Sequence, residues 1–198
     1  MITRSDYVAS VGYSKGISDD KIDNRDFMNG DNELRSRSKV YEDNLKGKLA
    51  EFVVARRIEV ETGYPCEVDC EIYPLGIGDD FDLTPNRACI DVKASSPRAR
   101  YLLVERARVE SWRAKGSRPY LCMVSIDLAE REGHYMFGTD YRAFMTKALH
   151  LRRGECIPGT SMKLKADNYA LHRDQCKPFI HLAAMVVFGP VMKKRVLM

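Results

Sequence analysis

Long apolar runs are absent from this sequence. No stretch approaches the ~18 to 20 uninterrupted apolar residues of a membrane-spanning helix, and residues 1–10 are too polar for a secretory signal. We therefore expect a cytoplasmic protein with no membrane partner. The 198 residues are 44% hydrophobic and 30% charged, which is an ordinary globular composition and excludes a wholly disordered chain.

Paired cysteine motifs are also scarce. The six cysteines are even in number, but in a cytoplasmic protein we expect reduced thiols rather than disulfides. Cys66 and Cys70 form a C-x3-C pair, and a zinc site would need two further ligands from Cys156, Cys176 and His172. Because the sequence has no second close-spaced pair, a zinc-stabilised interaction protein is the less favoured alternative.

The excess of charge of one sign is small, but the charges are unevenly distributed. The formal net charge of +4 argues only weakly for a polyanionic partner. Residues 59–82 contain eight acidic residues and no lysine or arginine, whereas residues 98–118 contain seven basic residues against two acidic ones. An acidic segment beside a basic one is what a cation site next to a phosphate-binding surface requires. Two solvated faces of opposite sign are the alternative interpretation.

The organisation along the chain predicts one domain with an N-terminal arm. Residues 1–38 are polar, contain several glycines and asparagines, and lack sustained periodicity, so we expect an arm or irregular lead-in there. The domain itself is expected over residues 39–198. Apolar residues recur at helical spacing across residues 39–62 and predict a helix that ends at Gly63.

The remaining segments predict strands and helices in alternation. The patterns indicate strands at residues 66–73, 81–84, 88–94, 120–127 and 133–138, a strand or irregular run at 101–104, helices at 106–115 and 141–149, and a late strand or buried helix at 179–188. This order predicts an α/β fold with a central mixed β-sheet flanked by helices.

The segment of residues 88–94 carries an acid and a lysine on one strand face. Side chains two apart on a strand point to the same side, so Asp91 and Lys93 project together, ~6.6 Å apart along the strand. The alternating residues face the core, and these are Ile90, Val92 and Ala94.

A second carboxylate is expected opposite the first. If residues 85–88 form a four-residue hairpin loop, Leu83 lies opposite Ile90 and Asp82 lies opposite Asp91. Opposed residues have Cβ atoms ~4.5 to 5.5 Å apart, so the two carboxylates repel each other. A Mg²⁺ ion held between them relieves that repulsion. Lys93 adds a compact positive charge that can stabilise the negative charge developing on a scissile phosphate.

This arrangement resembles the PD-(D/E)xK nuclease superfamily, which has the restriction-endonuclease-like fold. In that pattern an Asp on one strand precedes an acid-x-Lys on the next, and Asp82, Asp91 and Lys93 match the three positions. Phe81 replaces the proline that names the family, as in many members. The family also has a helix before the motif with an inward Glu, which Glu51 resembles, since it shares a helix stripe with Ala55 and Ile58. The resemblance covers residues 46–127.

The resemblance implies a metal-dependent endonuclease that hydrolyses phosphodiester bonds in DNA, with RNA the less favoured substrate. Restriction, phage-type, junction-resolving and repair nucleases all fit it, and a homodimer is expected from the family's small members. It also implies Mg²⁺, with Mn²⁺ as substitute, held by Glu51, Asp82 and Asp91, with Asp80 or Asp79 as alternate ligands in place of Asp82. A non-catalytic nucleic-acid-binding module on the same fold is the rival hypothesis.

The residues expected to contact the nucleic acid follow the motif. Ser95 occupies a position where the family often has a small hydroxyl residue near the substrate backbone. The basic residues of the 98–118 stretch are expected to contact phosphates, and those predicted to do so are Arg98, Arg100, Arg106, Arg113 and Lys115. Trp112 lies among them, and we favour a helix anchor over a base-stacking platform for it.

Overall fold

The structure is a computed structural model that describes residues 2–19, 36–71 and 81–188. Helices and strands alternate through most of this part of the chain. In chain order the elements are α1 (Arg4–Asp19), α2 (Arg37–Thr62), β1 (Ile90–Ser95), β2 (Tyr101–Glu105), α3 (Arg106–Ala114), β3 (Tyr120–Asp127), β4 (Glu132–Asp140), α4 (Tyr141–Lys147), β5 (Leu149–Leu151), β6 (Asn168–His172) and α5 (Phe179–Phe188).

The long helix α2 forms where the sequence predicted a helix. Its first turn is capped by Ser36, whose side-chain oxygen accepts a hydrogen bond from the Lys39 N–H at 3.2 Å. Its end is set by Gly63, which adopts a left-handed φ of 73° and donates its N–H to the Glu59 carbonyl. The apolar side of α2 packs on β1, β3 and β4. The helix therefore holds one face of the first sheet.

Helix α1 lies where an irregular lead-in was expected. Thr3 and Asp6 cap its start reciprocally, since each accepts a hydrogen bond from the other's backbone N–H. The helix packs along α2 through small buried residues, Ser10 and Ser14, whose hydroxyls donate to carbonyls one turn earlier. This burial of serines explains why apolar periodicity did not reveal the helix.

In the described part of the chain, the strands form two three-stranded sheets rather than one central sheet. In the first sheet, of order β1-β3-β4, β1 runs parallel to β3 and β3 runs antiparallel to β4. The second sheet, of order β2-β6-β5, is wholly antiparallel. The fold is thus mixed α/β with helices flanking small sheets. The sequence predicted one central sheet, and this part of the prediction is wrong for the described residues.

The first sheet is buried on both faces, which explains the continuous apolar run of β3. One face carries Ile90 and Val92 of β1 and packs against α2 and α5 in the larger core cluster. The other face carries Leu121 and Met123 of β3 and packs with Trp112 of α3 in the second cluster. Trp112 is therefore a helix anchor, as favoured from the sequence.

Two predicted strands differ from the structure. Residues 66–71 form no strand, and residues 72 and 73 lie outside the described ranges. Side-chain hydrogen bonds hold residues 66–71: the Cys66 N–H donates to the Glu59 carboxylate, and the Asp69 carbonyl accepts from Lys48. The strand at 81–84 is reduced to one bridge. Residues 179–188, predicted as a late strand or a buried helix, form the helix α5. Among the described residues, no helix has both the length and the apolar character needed to cross a membrane.

Candidate active site

A tight turn brings Asp82 against β1. Pro85–Arg87 form one turn of 3-10 helix in which Asn86 and Arg87 have positive φ angles of 45° and 64°. Beyond this turn Leu83 and Ile90 pair as an antiparallel bridge, with hydrogen bonds of 3.2 and 2.9 Å in the two directions. This is the register predicted from the sequence. The pairing leaves β1 between the turn and β3, with its site residues at the edge of the first sheet.

The Asp82 side chain folds over β1 and does not continue the ladder. Its backbone N–H donates to the Ile90 carbonyl at 3.1 Å, and its carboxylate oxygen Oδ2 accepts a hydrogen bond from the Val92 N–H at 2.6 Å. One carboxylate oxygen is thus fixed by the backbone of β1, beside Asp91. Burial and the nearby negative charge of Asp91 raise the pKa of the Asp82 carboxyl, although Lys93 and Arg108 oppose the shift.

Asp91 and Lys93 lie on one side of β1, as alternation predicted. Lys93 Nζ is 2.6 Å from Asp91 Oδ2, and Nε of Arg108, from α3, is 3.7 Å from Asp91 Oδ1. The Asp91 side chain is fully buried, whereas 34% of the Lys93 side chain is exposed. Two cationic side chains therefore balance the charge of this buried carboxylate. A buried carboxylate grouped with two cations and a second carboxylate is the kind of cluster found at functional sites.

Lys93 keeps its positive charge in this setting. Burial by itself disfavours the ammonium form, but the negative charges of Asp91 and Asp82 outweigh it and hold the pKa of Lys93 above its usual value. The ammonium group is therefore cationic at neutral pH. Lys93 and Arg108, with 34% and 36% of their side chains exposed, are the members of the cluster that an approaching phosphate can reach.

Glu51 approaches this cluster from the opposite side of β1. It lies on α2, which packs on the Ile90 and Val92 face, whereas Asp91 and Lys93 leave the other face. Glu51 pairs with Lys48 at 2.7 Å, and only 12% of its side chain is exposed. Burial raises the pKa of the Glu51 carboxyl to about 8, with Lys48 opposing and Asp82 adding to the shift. Its electrostatic contact with Asp82 is what joins it to the site.

The residues present fit a divalent cation in part. Asp82 and Asp91 offer carboxylate oxygens, the ligand type that Mg²⁺ prefers, and Lys93 is paired with Asp91 Oδ2. Within residues 2–19, 36–71 and 81–188, however, no three His, Cys, Asp or Glu side chains converge closely enough to hold a metal ion. The geometry therefore brings together two of the three predicted ligands, with Glu51 nearby. Asp79 and Asp80, the alternate ligands, lie outside the described residues.

The predicted nucleic-acid-binding residues are distributed on both sides of the site. Ser95 ends β1 on the side of Lys93 and is partly exposed, and the turn after it carries the exposed Arg98 and Arg100. Arg106 begins α3 and is paired with Glu110 at 2.6 Å. The two residues near the end of α3, Arg113 and Lys115, are also exposed.

Arg108 is the site residue that the sequence prediction missed. The sequence predicts it only as part of the basic stretch expected to contact phosphates, and not as a partner of Asp91. It lies two residues into α3 from Arg106, contacts Asp91, and stacks over the Trp112 ring at 5.4 Å from its centroid. The signal that could have identified it is the i, i+4 spacing between Arg108 and the buried Trp112, which directs the guanidinium along the inner side of α3.

The cysteines of the alternative zinc hypothesis are not gathered in one place. Cys66 is buried, Cys70 and Cys176 are half-buried, and Cys156 is exposed. Burial raises the pKa of the Cys66 and Cys176 thiols to about 12 in each case.

Comparison of this chain with protein-family models, with curated proteins and with solved structures finds no significant match.

Proposed function

We propose that this chain is a metal-dependent nuclease that hydrolyses phosphodiester bonds in DNA at the cluster of Asp82, Asp91 and Lys93. The observation that supports the proposal is the state of Asp91. Its carboxylate is fully buried, lies beside a second carboxylate, Asp82, and is paired with two partly exposed cations, Lys93 and Arg108. Two neighbouring carboxylates with cationic partners are the groups that a metal-dependent phosphodiesterase needs, so Asp91 is interpreted as a ligand group.

Each side chain has a distinct task in this proposal. Asp82 and Asp91 would hold the cation, with Asp82 fixed by the Val92 N–H. Mg²⁺ or Mn²⁺, when bound, would supply Lewis-acid polarisation of the phosphate. Lys93 would stabilise the negative charge that develops on the scissile phosphate. Arg108 would keep Asp91 in position through its ion pair and its contact with Trp112.

Glu51 is a weaker candidate ligand than the sequence suggested. Its approach from α2 places it against Asp82 rather than Asp91, and Lys48 already pairs with it. We propose that Glu51 tunes the charge of the site and supports Asp82. The ion pairs of Asp91 with Lys93 and Arg108 are the observation that favours the rival function, a nucleic-acid-binding module without catalysis.

A cleavage assay separates the two functions. Supercoiled plasmid, linear duplex, single strands and a four-way junction are incubated with the chain in Mg²⁺, Mn²⁺, Ca²⁺ or chelator. The nuclease proposal predicts cleavage in Mg²⁺ or Mn²⁺, none in chelator, and little in Ca²⁺, whose longer and looser coordination aligns the reactants poorly. The matched control is Asp82→Asn, which should bind the same substrates without cutting them. Cleavage that continues in chelator would rule out the mechanism, and binding without cleavage would favour the module.

A further inference from the structure

A second basic segment lies outside the residues discussed so far. Residues 152–165, which we call the basic hairpin, contain four basic residues against one acidic residue, Glu155. The basic residues are Arg152, Arg153, Lys163 and Lys165, and all four are exposed. The Glu155 carboxylate accepts a hydrogen bond from the Arg152 N–H at 2.8 Å, so it is engaged at the base of the hairpin.

The basic hairpin is held in one shape by its own backbone. Cys156 and Lys163 form an antiparallel bridge, and the Ile157 N–H donates to the Met162 carbonyl at 3.0 Å. The Leu164 N–H donates to the Glu155 carbonyl at 2.9 Å. Its tip turns at Gly159, whose left-handed φ of 73° is a conformation that favours glycine. Such a preorganised element loses little entropy when it binds a partner.

The cationic side chains point away from the protein. Ile157 and Leu164 are buried and anchor the inner side of the hairpin. Lys163 and Lys165 flank the buried Leu164 in sequence, and both lysines are exposed. The tip residues 158–161 are exposed and include the hydroxyl of Ser161, whereas the Thr160 hydroxyl donates to the Ile157 carbonyl at 3.0 Å. Lysines and hydroxyls are the groups that contact nucleic-acid phosphates and sugars.

The base of the hairpin is joined to the candidate active site. The Asp167 carboxylate accepts a hydrogen bond from the Arg153 N–H at 2.9 Å, and the Asp167 carbonyl accepts one from the Arg106 N–H at 2.9 Å. Arg106 begins α3, and two residues later Arg108 contacts Asp91. The base of the basic hairpin is therefore hydrogen-bonded, through Asp167, to the N-terminal end of α3, the end from which Arg108 contacts Asp91.

We propose that the basic hairpin binds the sugar-phosphate backbone of duplex DNA beside the cleavage site. This inference rests on the proposed function, because the polyanion next to a phosphodiester-cleaving site is the nucleic acid itself. The charge of the hairpin is complementary to phosphate, and its contacts are independent of base sequence. The tip lacks the cluster of large apolar side chains with which a basic element enters a lipid surface.

Binding of the full chain to a labelled duplex in chelator tests the proposal, with fluorescence anisotropy recorded over a series of salt concentrations. Lys163→Ala with Lys165→Ala should make the log-log salt slope shallower by about 1.8, since each phosphate contact contributes about 0.9. At ~0.1 M salt the same relation gives roughly 60-fold weaker binding. The lysine-for-lysine control, Lys39→Ala with Lys46→Ala on α2, should leave both quantities unchanged.

A charge-preserving variant guards against misfolding. Lys163→Arg with Lys165→Arg should bind as the wild-type chain does, and circular dichroism should be the same for all variants. The proposal would be overturned if the wild-type chain did not bind duplex DNA, or if the folded alanine variant had the same salt slope as the wild-type chain. It would also be overturned if the alanine variant lost binding to phosphatidylserine vesicles but kept its binding to duplex DNA.

Cleavage measurements on the same samples distinguish this proposal from the proposed function. If the wild-type chain binds duplex through the two lysines but cuts nothing in Mg²⁺, the hairpin is confirmed and the nuclease is wrong. If the wild-type chain cuts DNA and the alanine variant binds and cuts equally well, the nuclease stands and the hairpin is wrong.

Discussion

Two regions of this molecule contain a buried aspartate, and the groups that surround the aspartate differ between them. In the pair of helices α1 and α2, Asp6 is buried but accepts hydrogen bonds from the Thr3 N–H at 3.0 Å and from Arg56 at 2.9 Å. At the edge of the first sheet, Asp91 is equally buried, but it lies beside the like charge of Asp82 and is paired with Lys93 and Arg108. The first arrangement satisfies a single acid, whereas the second concentrates two acids and two cations in one place, as a functional site does.

Glu51 shares features with both Asp6 and Asp91. It belongs to α2 and is bonded to Lys48, which in turn donates to the Asp69 carbonyl at 2.6 Å and lies over the Tyr13 ring. These contacts satisfy the Glu51 carboxylate in the way that Thr3 and Arg56 satisfy the Asp6 carboxylate. Its repulsion by Asp82 links it to the sheet edge. Substitutions in the two regions should therefore separate effects on catalysis from effects on stability.

The largest effect on catalysis is expected for Asp91→Asn. The substitution keeps the size of the side chain but removes the charge that attracts a cation, so Mg²⁺ affinity should fall and the cleavage rate should drop by ~10³-fold. The unfolding free energy should also fall, by about 1.5 to 3 kcal/mol, because the ion pairs of the buried Asp91 with Lys93 and Arg108 are lost. Calorimetric titration with Mg²⁺ and denaturant unfolding check the two parts. If the folded Asn variant bound Mg²⁺ with the affinity of the wild-type chain, Asp91 would be a structural acid and not a metal ligand.

A smaller effect is expected for Glu51→Gln. If Glu51 supports Asp82 from behind β1, the cleavage rate should fall about 10-fold, in the range of residues that act through a ligand. The Mg²⁺ dissociation constant, measured by titration, should rise by a similar factor. A loss as large as that of Asp91→Asn would show that Glu51 is itself a ligand, as the family resemblance implied, and that the two regions form one site.

The exposed arginines after β1 should affect binding uniformly. Arg98→Ala with Arg100→Ala should weaken binding to all duplex sequences and make the salt slope shallower by about 1.8, if each contacts a phosphate. The single-turnover rate at saturating DNA should stay unchanged, because neither side chain is placed at the reacting atoms. An unchanged salt slope would assign these arginines to the solvated-face interpretation.

The smallest effect on catalysis is expected for Asp6→Asn, which should alter stability alone. Burial opposes ionisation, but hydrogen bonds from Arg56 and Thr3 hold the pKa of Asp6 below its usual value of 3.8. A depressed folded-state pKa means that the stabilisation is fully present above about pH 4 and is lost as the pH falls through the folded value. At pH 7 the unfolding free energy of the wild-type chain should exceed that of the Asn variant by about 1 to 2 kcal/mol.

Unfolding curves from pH 7 to pH 2 test this sign. The difference between the two proteins should shrink as the pH falls below the usual Asp value and should not grow at any acidic pH. The cleavage rates at pH 7 should agree within a factor of about two, which is below ~0.5 kcal/mol of activation free energy. A difference in stability that is independent of pH would show that the Asp6 charge is not what joins α1 to α2.

The sequence predicted the parts of the site that depend on short-range periodicity. Alternation along β1 placed Asp91 and Lys93 together, and the turn over residues 85–88 set Leu83 opposite Ile90. The helical repeat of α2 likewise predicted the half-buried position of Glu51. Each of these follows from residues fewer than ten positions apart.

The parts that sequence missed depend on partners far along the chain. Strand β2 pairs with β6, where Glu105 lies opposite Asn168, and no local signal indicates that a second sheet forms there. The alternating pattern of residues 66–71 pairs with no strand among the described residues, and no strand forms there. Arg108 reaches Asp91 through the packing of α3, which is a property of tertiary structure.

Lys93→Ala tests the central claim most directly, because Lys93 is assigned to the phosphate and not to the metal. Removing the ammonium also removes the ion pair that now covers Asp91 Oδ2, so Mg²⁺ affinity should persist or increase. The single-turnover cleavage rate at saturating DNA should fall by ~10²-fold, as for the loss of one preorganised electrostatic contact. A folded Lys93→Ala chain that cleaves at the wild-type rate would contradict the account and leave Asp91 and Lys93 as a polar strand face.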